Sequence, residues 1–234
     1  MIVRPIKTHV FQEGGDLSAF IADYFKKLPE RSVIVATSKI VALAERRTAV
    51  ADNAQAKEKL IRAESDLAIP TKYVWLTVKD GMVMASAGID ESNANGKLIL
   101  LPKDSFKTAR NLRNKLRQKY SVRHLGVLIT DSRIVPLRAG VTGIAVGYAG
   151  FRGIKDYRGM PDIFGRKFKF SRTNIADGLA AAAVLVMGEG NEQQPLAIIE
   201  RAPVEFCDRV NRAELSINIQ EDMYRPLFSK LSKH

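Results

Sequence analysis

Two acidic clusters hold the residue types from which chemistry is most readily built: Ser86-Ala87-Gly88-Ile89-Asp90-Glu91-Ser92-Asn93, and Thr130-Asp131-Ser132, which closes the apolar run Leu125 to Ile129. Each reads as a strand end that presents oxygen atoms. Carboxylates with a hydroxyl and an amide beside them suit hard divalent cations, which take oxygen ligands at roughly 2.0 to 2.6 Å. Taken alone, Asp90 sits in good turn chemistry, and Asp131 would serve to cap whatever follows it. Two such acids at the ends of separate apolar strands point instead to a shared cation, and with it to metal-assisted phosphate chemistry. Glu189, between two glycines, reads equally as a helix stop or as a third carboxylate ligand.

Positioning these groups requires a framework, and the hydrophobic pattern supplies one. Met1 to Ile6 reads as a strand, and Asp16 caps a helix whose Leu17, Phe20, Ile21, Tyr24 and Phe25 repeat at helical spacing. Ser32 to Ala36 has the continuous apolar character of a buried strand and Ile40 to Arg46 resumes helical character, so Thr37-Ser38-Lys39 falls at a strand-to-helix junction where free amides and Lys39 suit phosphate. A helix is expected over Lys57 to Leu67, before Pro70. Tyr73 to Val78 and Met82 to Ala87 form a hairpin around Asp80-Gly81, which delivers Asp90 to its far end. Lys97 to Leu101 is a strand stopped by Pro102, and Asp104 caps a basic helix ending near Tyr120. Val141 to Phe151, punctuated by glycines, reads as a strand under close backbone approach. Thr173 or Asn174 starts a helix to Met187 whose alanines permit tight packing. Pro195 to Glu200 is a last strand, and Asn218 to Leu231 is expected to be helical, broken near Pro226.

No repeat, linker or low-complexity tract divides the chain, so a single interlocked α+β unit over residues 1–234 is expected, with mixed, largely antiparallel sheets. Its 46% hydrophobic content is ample for a core. No apolar stretch reaches the roughly 18 residues of a membrane span, and the N-terminus lacks a signal peptide's apolar core, which makes the cytoplasm the expected location. The single cysteine, Cys207, excludes an internal disulfide and a thiolate-rich zinc site.

The formal charge of +12 implies an anionic partner. Basic residues crowd two regions, Lys103 to Arg123 and Arg152 to Arg172. No G-x-x-x-x-G-K-[ST] loop, G-x-G-x-x-G fingerprint, H-E-x-x-H motif or G-x-S-x-G elbow occurs. With His9 and His124 as the only internal histidines, a nucleophile triad is poorly supplied.

The series Ser38-Lys39-Ile40-Val41, Ala87 to Asn93, Leu100-Leu101-Pro102, Gly126 to Ser132, Gly140 to Gly147, Asp156-Tyr157-Arg158-Gly159 and Leu185 to Glu189 resembles the coenzyme F420-0 gamma-glutamyl ligase family, in order from about residue 5 to residue 201. The resemblance implies a GTP-dependent amide ligase: an acceptor carboxylate is phosphorylated, and the amine of L-glutamate displaces the phosphate. It implies that Asp90 and Asp131 bind one divalent ion and act in catalysis, and that Ser132 and Glu189 bind a second. Nucleotide would be held by Asn93, Ser38 and Lys39, with Thr8, His9, Val10, Phe11, Met187, Gly188, Gly190 and Asn191 lining it. Manganese or magnesium, a potassium ion and an intertwined homodimer belong to the same expectation, with residues 202–234 as a tail completing the fold. The acceptor is expected to be coenzyme F420-0, with a folate-like acceptor as the alternative.

The chain departs from the family pattern at three places. Leu43 stands where a lysine is usual, Arg133 to Arg138 keeps only the proline and final arginine of the usual run, and Ala44 to Arg47 lacks a glycine. Nucleotide preference and acceptor choice therefore stay open, as does a member that binds nucleotide without turnover. A reading from another class, a nucleic-acid-binding protein built on the basic helix, is disfavoured because only Phe106 and Tyr120 lie near that helix to stack on bases.

Overall fold

The computed structural model describes residues 1–228. In chain order its elements are β1 (Ile2–Ile6), α1 (Leu17–Tyr24), β2 (Ser32–Thr37), α2 (Ser38–Ala44), β3 (Thr48–Ala49), α3 (Ala54–Ala63), β4 (Leu67–Pro70), β5 (Trp75–Lys79) and β6 (Met82–Ala85), followed by a single 3-10 turn at Ser86–Gly88. Then come β7 (Leu98–Ile99), α4 (Ser105–Tyr120), β8 (Leu125–Ile134), β9 (Val141–Ala149), β10 (Ile154–Asp156), β11 (Arg172–Asn174), α5 (Ile175–Met187), β12 (Leu196–Glu200) and α6 (Arg225–Phe228).

A five-stranded sheet in the order β1-β12-β2-β8-β9 forms the centre. Every neighbouring pair in it is antiparallel except β2 and β8. The alternation of side chains along β2 explains its unbroken apolar sequence, because both faces are covered. Ile34 and Ala36 join Leu17, Phe20 and Ile21 of α1 and Ala109, Leu112 and Leu116 of α4 on one side. Val33 and Val35 meet Leu179, Ala180, Ala183 and Met187 of α5 on the other. The small residues let α5 lie against the sheet: a Cβ on Gly143 would stand 2.5 Å from the Ala180 carbonyl oxygen. Asp16, Asn53, Asp104 and Asn174 each cap a helix by accepting backbone N–H bonds.

Beside this slab, β4-β5-β6 forms a three-stranded sheet and β3 pairs with β7. With α3 they enclose a small core of Ile61, Ala87, Ile89, Leu98 and Leu100. The β5–β6 turn carries Asp80 at φ 51° and Gly81 at φ 74°, the positive values a tight two-residue hairpin demands. The architecture is thus mixed α+β with mostly antiparallel pairing, as expected.

Several element ends shift by one to three residues from the sequence expectation, the Met82 strand stopping at Ala85 and the Lys97 to Leu101 strand shrinking to Leu98–Ile99, and three differences are larger. The helix placed at Lys57 to Leu67 ends at Ala63, and Leu67–Pro70 becomes β4 because its backbone pairs with β5, Asp66 N–H already donating to Val78 at 2.8 Å. β8 does not stop at Ile129; after a register shift between Ile129 and Thr130 it continues to Ile134 opposite β9. Asp131 and Ser132 therefore lie inside a strand, just past an irregularity that re-aims them. In the expected C-terminal helix only Arg225–Phe228 is helical, and residues 229–231 of that expectation lie outside the described residues. Asn218 and Asp222 accept the N–H groups of Gln220 and Tyr224, local bonds that compete with helix formation.

Candidate active site

The ends of the parallel pair β2 and β8 open on a cleft of about 720 Å³, a size suited to a small-molecule ligand. Its walls come from residues 8–13, the start of α2, the loop 88–97, residues 130–132 and the segment 187–195. All the residues singled out in the sequence, Thr8 to Phe11, Ser38, Lys39, Asp90, Asn93, Asp131, Ser132, Met187 to Asn191, line this one cleft.

Asp90 is held at the mouth by its backbone, which exchanges two 2.9 Å hydrogen bonds with Ile99. The approach to it is unusual. Ser86, Ala87 and Gly88 have φ values of 49°, 58° and 69°, three successive left-handed residues, two of them not glycine. Each such non-glycine residue costs roughly 1–2 kcal/mol. Thr77 offsets that cost: its fully buried hydroxyl accepts the Ala87 N–H at 2.8 Å and donates to the Met84 carbonyl at 2.7 Å. Strain of this kind persists where the surroundings over-determine the backbone, as they do beside this cleft.

Around Asp90 the geometry is dense. Lys39 Nζ lies 2.8 Å from Asp90 Oδ2 and donates to Ser92 O at 2.8 Å and Ser92 Oγ at 3.0 Å. The Ser92 N–H and hydroxyl donate to the two Asp90 oxygens at 2.6 and 3.0 Å. Burial works to raise the Asp90 pKa, but the Lys39 ammonium and the Ser92 donors outweigh it and hold the carboxyl below its ordinary value.

Asp131 goes the other way. Enclosure by protein and the nearby Asp90 charge push its pKa up to about 7, against weaker opposing contributions from the Ser132 N–H, the Ser38 hydroxyl and Lys39. Next to it, the Thr130 hydroxyl is fully buried and has no hydrogen-bond partner among the described residues. Ser132 Oγ donates to Glu189 Oε1 at 2.5 Å, and Asn93 Nδ2 donates to the Gly190 carbonyl at 3.1 Å, so both acidic clusters are tied to the segment that follows α5. The Thr8 N–H donates to Gln193 O at 2.9 Å, closing the ring on the far side. His9 is exposed, its Nδ1 2.5 Å from the Tyr24 hydroxyl.

These donors fit a hard cation. A carboxyl whose pKa is pushed up to about 7 by burial first, with the Asp90 charge adding to it, gains stability when positive charge arrives, and the Thr130 hydroxyl lies beside it. Among the described residues no three carboxylate, imidazole or thiol groups converge as a complete metal cage. The arrangement is instead the pair Asp90 and Asp131 and the pair Ser132 and Glu189, which matches ions that keep waters or take substrate oxygens alongside one or two carboxylates.

Sequence reasoning missed several cleft residues. Glu13 accepts from Lys97 Nζ at 2.6 Å and from Thr48 Oγ1 at 2.6 Å, which hold its carboxyl below its ordinary pKa. The Glu192 carboxylate accepts the Gly190 N–H at 2.8 Å and fills the space beside Gly188, whose φ is 83°. No local motif marks Glu13, because its partners come from other elements, whereas Glu192 closes a local loop onto the amide two residues before it. The basic helix α4 is less free than its composition implies. Arg113 is buried and donates to Leu125 O at 2.7 Å and Asp208 Oδ1 at 2.8 Å, and Arg117 reaches the same carboxylate at 3.2 Å.

The fold and cleft define an α+β protein whose ligand site is built from paired carboxylates, hydroxyls and a lysine. The family model described as F420-0:Gamma-glutamyl ligase matches residues 5–201, and the chain belongs to that family. It is 32% identical over 232 residues to the Coenzyme F420:L-glutamate ligase of Methanococcus maripaludis strain C7, covering 91% of this chain and 93% of the relative. The protein of the same name from Methanocaldococcus jannaschii is 32% identical over 217 residues, 91% of this chain and 86% of that one. The Methanopyrus kandleri protein of that name is 43% identical over 140 residues, covering 59% and 55%.

Proposed function

We propose that this chain is a ligase that joins L-glutamate to an acceptor carboxylate, with coenzyme F420-0 as the acceptor and GTP as the co-substrate. The observation that carries the reading is the convergence of Asp90, Asp131, Ser38, Lys39, Ser132 and Glu189 on one cleft from separate parts of the chain. Family membership and the printed names of the relatives support it.

In this reading an oxygen of the acceptor carboxylate attacks the γ-phosphorus of GTP, GDP leaves, and an acyl phosphate results. The glutamate amine then attacks the acyl carbon; phosphate departs and one proton is released. Lys39 and Ser38 hold phosphate oxygens, Asn93 orients the nucleotide, and Thr8 to Phe11 with Met187, Gly188, Gly190 and Asn191 enclose it. Asp90 and Asp131 would hold one divalent ion, Ser132 and Glu189 a second. Bound Mn2+ or Mg2+, with K+ as a possible companion, would neutralise charge passing onto the phosphoryl oxygens. The carboxylates would hold that positive charge in the cleft beside the phosphates.

A homodimer completes the proposal. Leu137 at the β8–β9 tip and Ile163, Phe164 and Phe170 between β10 and β11 are almost fully exposed. Three of these four lie within eight residues of one another in the chain, and clustered exposed apolar side chains are the usual mark of an association surface. Among the described residues no helix is long and apolar enough to cross a membrane.

The chemical test is incubation of the purified chain with GTP, Mn2+, L-glutamate and coenzyme F420-0, or a folate in its place, read by mass spectrometry. Addition of one glutamyl residue with stoichiometric GDP release supports the reading. Release of GDP that does not depend on any acceptor contradicts it.

A further inference from the structure

Lys39 is bound more tightly than a lysine waiting for a phosphate needs to be. Its ammonium sits among three oxygens, Asp90 Oδ2, Ser92 O and Ser92 Oγ, at 2.8 to 3.0 Å. Carboxylate, carbonyl and hydroxyl oxygens facing a common point are the donor set of a hard cation, and here the cation is the chain's own. The Lys39 side chain is only a quarter exposed, so its charge is held in place by these contacts and not merely drifting over the surface. Asp90 Oδ2 already accepts both the Lys39 ammonium and the Ser92 hydroxyl, so a divalent ion that takes this oxygen must displace a donor and sit against the ammonium's positive charge. The neighbouring Lys57 is engaged separately with Glu91 and does not enter the seat.

The geometry points to Lys39 as an internal competitor for the cation at Asp90, one that a nucleotide's phosphates remove by offering the ammonium a better anionic partner. Metal binding at Asp90 is then coupled to nucleotide binding, and the coupling runs both ways. The protein would keep free divalent ions away from Asp90 until the triphosphate is present. This inference rests on the metal-dependent reading above and adds an order of assembly to it.

The test reads Mn2+ binding directly, by electron paramagnetic resonance of free Mn2+, with no turnover required. Wild type, Lys39→Gln, Lys39→Met and Lys57→Gln are compared with and without a non-hydrolysable guanosine triphosphate analogue. Circular dichroism confirms that each variant is folded, and Lys39→Met keeps the packing of the aliphatic stem. The expected result is that both Lys39 variants bind Mn2+ about tenfold more tightly than wild type without nucleotide, while Lys57→Gln does not, and that their gain on adding nucleotide is smaller than that of wild type. The difference persists in about 0.5 M KCl, where a mere long-range field would be screened. Lys39 variants that bind Mn2+ no more tightly than wild type, or a Lys57→Gln variant that gains equally, would overturn the competition. The absence of Mn2+ binding by every variant in both states would instead bring down the metal-dependent reading on which it rests.

Discussion

Asp131 concentrates the electrostatic tension of the site. Its pKa of about 7 lies above the 3.8 of an ordinary aspartate because enclosure and the Asp90 charge both disfavour ionisation. A carboxyl raised in the folded state makes the unfolded chain the better acid, so stability falls as pH rises from near 4 through 7, and the full penalty is present above that. Asp131→Asn is therefore expected to melt at a higher temperature than wild type at pH 8 without divalent ions, with the gap closing toward pH 4; calorimetry at the two pH values checks it. The same substitution, and Asp90→Asn, should lower turnover by about two orders of magnitude or more with native circular dichroism. Normal turnover in either would remove these residues from the mechanism. Both acids were legible in the sequence because each stands in a run of oxygen-bearing neighbours. Thr77 was not, and Thr130 was legible only as a neighbour of Asp131, since what distinguishes the two threonines is a backbone partner gained, or a partner lacked, once distant strands have come together.

Among the elements, the turn Ser86–Gly88 matters most for function, because it carries Asp90 out of the small sheet in a backbone conformation that few residues adopt. Thr77→Val removes the hydroxyl that accepts the Ala87 N–H and leaves that amide buried without a partner. A loss of about 1–3 kcal/mol in urea unfolding is expected, together with reduced Mn2+ affinity. Unchanged unfolding would show that the turn holds without Thr77. Local pattern predicted β2, α5 and the β5–β6 hairpin well, because an unbroken apolar run, an Asn cap and an Asp-Gly turn act over a few residues. It misplaced β4 and the end of β8, whose extended conformation is dictated by pairing with β5 and β9. It also extended the C-terminal helix through Asn218 and Asp222, whose side chains capture nearby amides.

At the scale of the whole molecule, two unlike units meet at the cleft. The central slab supplies Ser38 and Lys39 from the start of α2, directly after β2, and Asp131 and Ser132 from β8 just past its pairing with β2, and the smaller unit supplies Asp90 and Asn93. The parallel pairing of β2 with β8 had no sequence signature of its own, so the acidic clusters could be named before their convergence could be seen. The exposed apolar residues near β10 and β11 give the association proposal its test. Phe164→Ser with Phe170→Ser should convert a dimer to a monomer in light scattering while the fold persists; a wild-type chain that is monomeric at micromolar concentration would contradict the dimer.

The central claim is that carboxylates brought together from separate units drive glutamate ligation at a nucleotide-bearing cleft. Its most direct test is mass analysis of the acceptor after incubation with GTP, L-glutamate and Mn2+, run in parallel on wild type and Asp90→Asn. Gain of a glutamyl residue by wild type, with the rate in Asp90→Asn reduced by about a hundredfold or more, is the outcome predicted here. Equal product from both chains, or none from wild type with either coenzyme F420-0 or the folate acceptor, would contradict it.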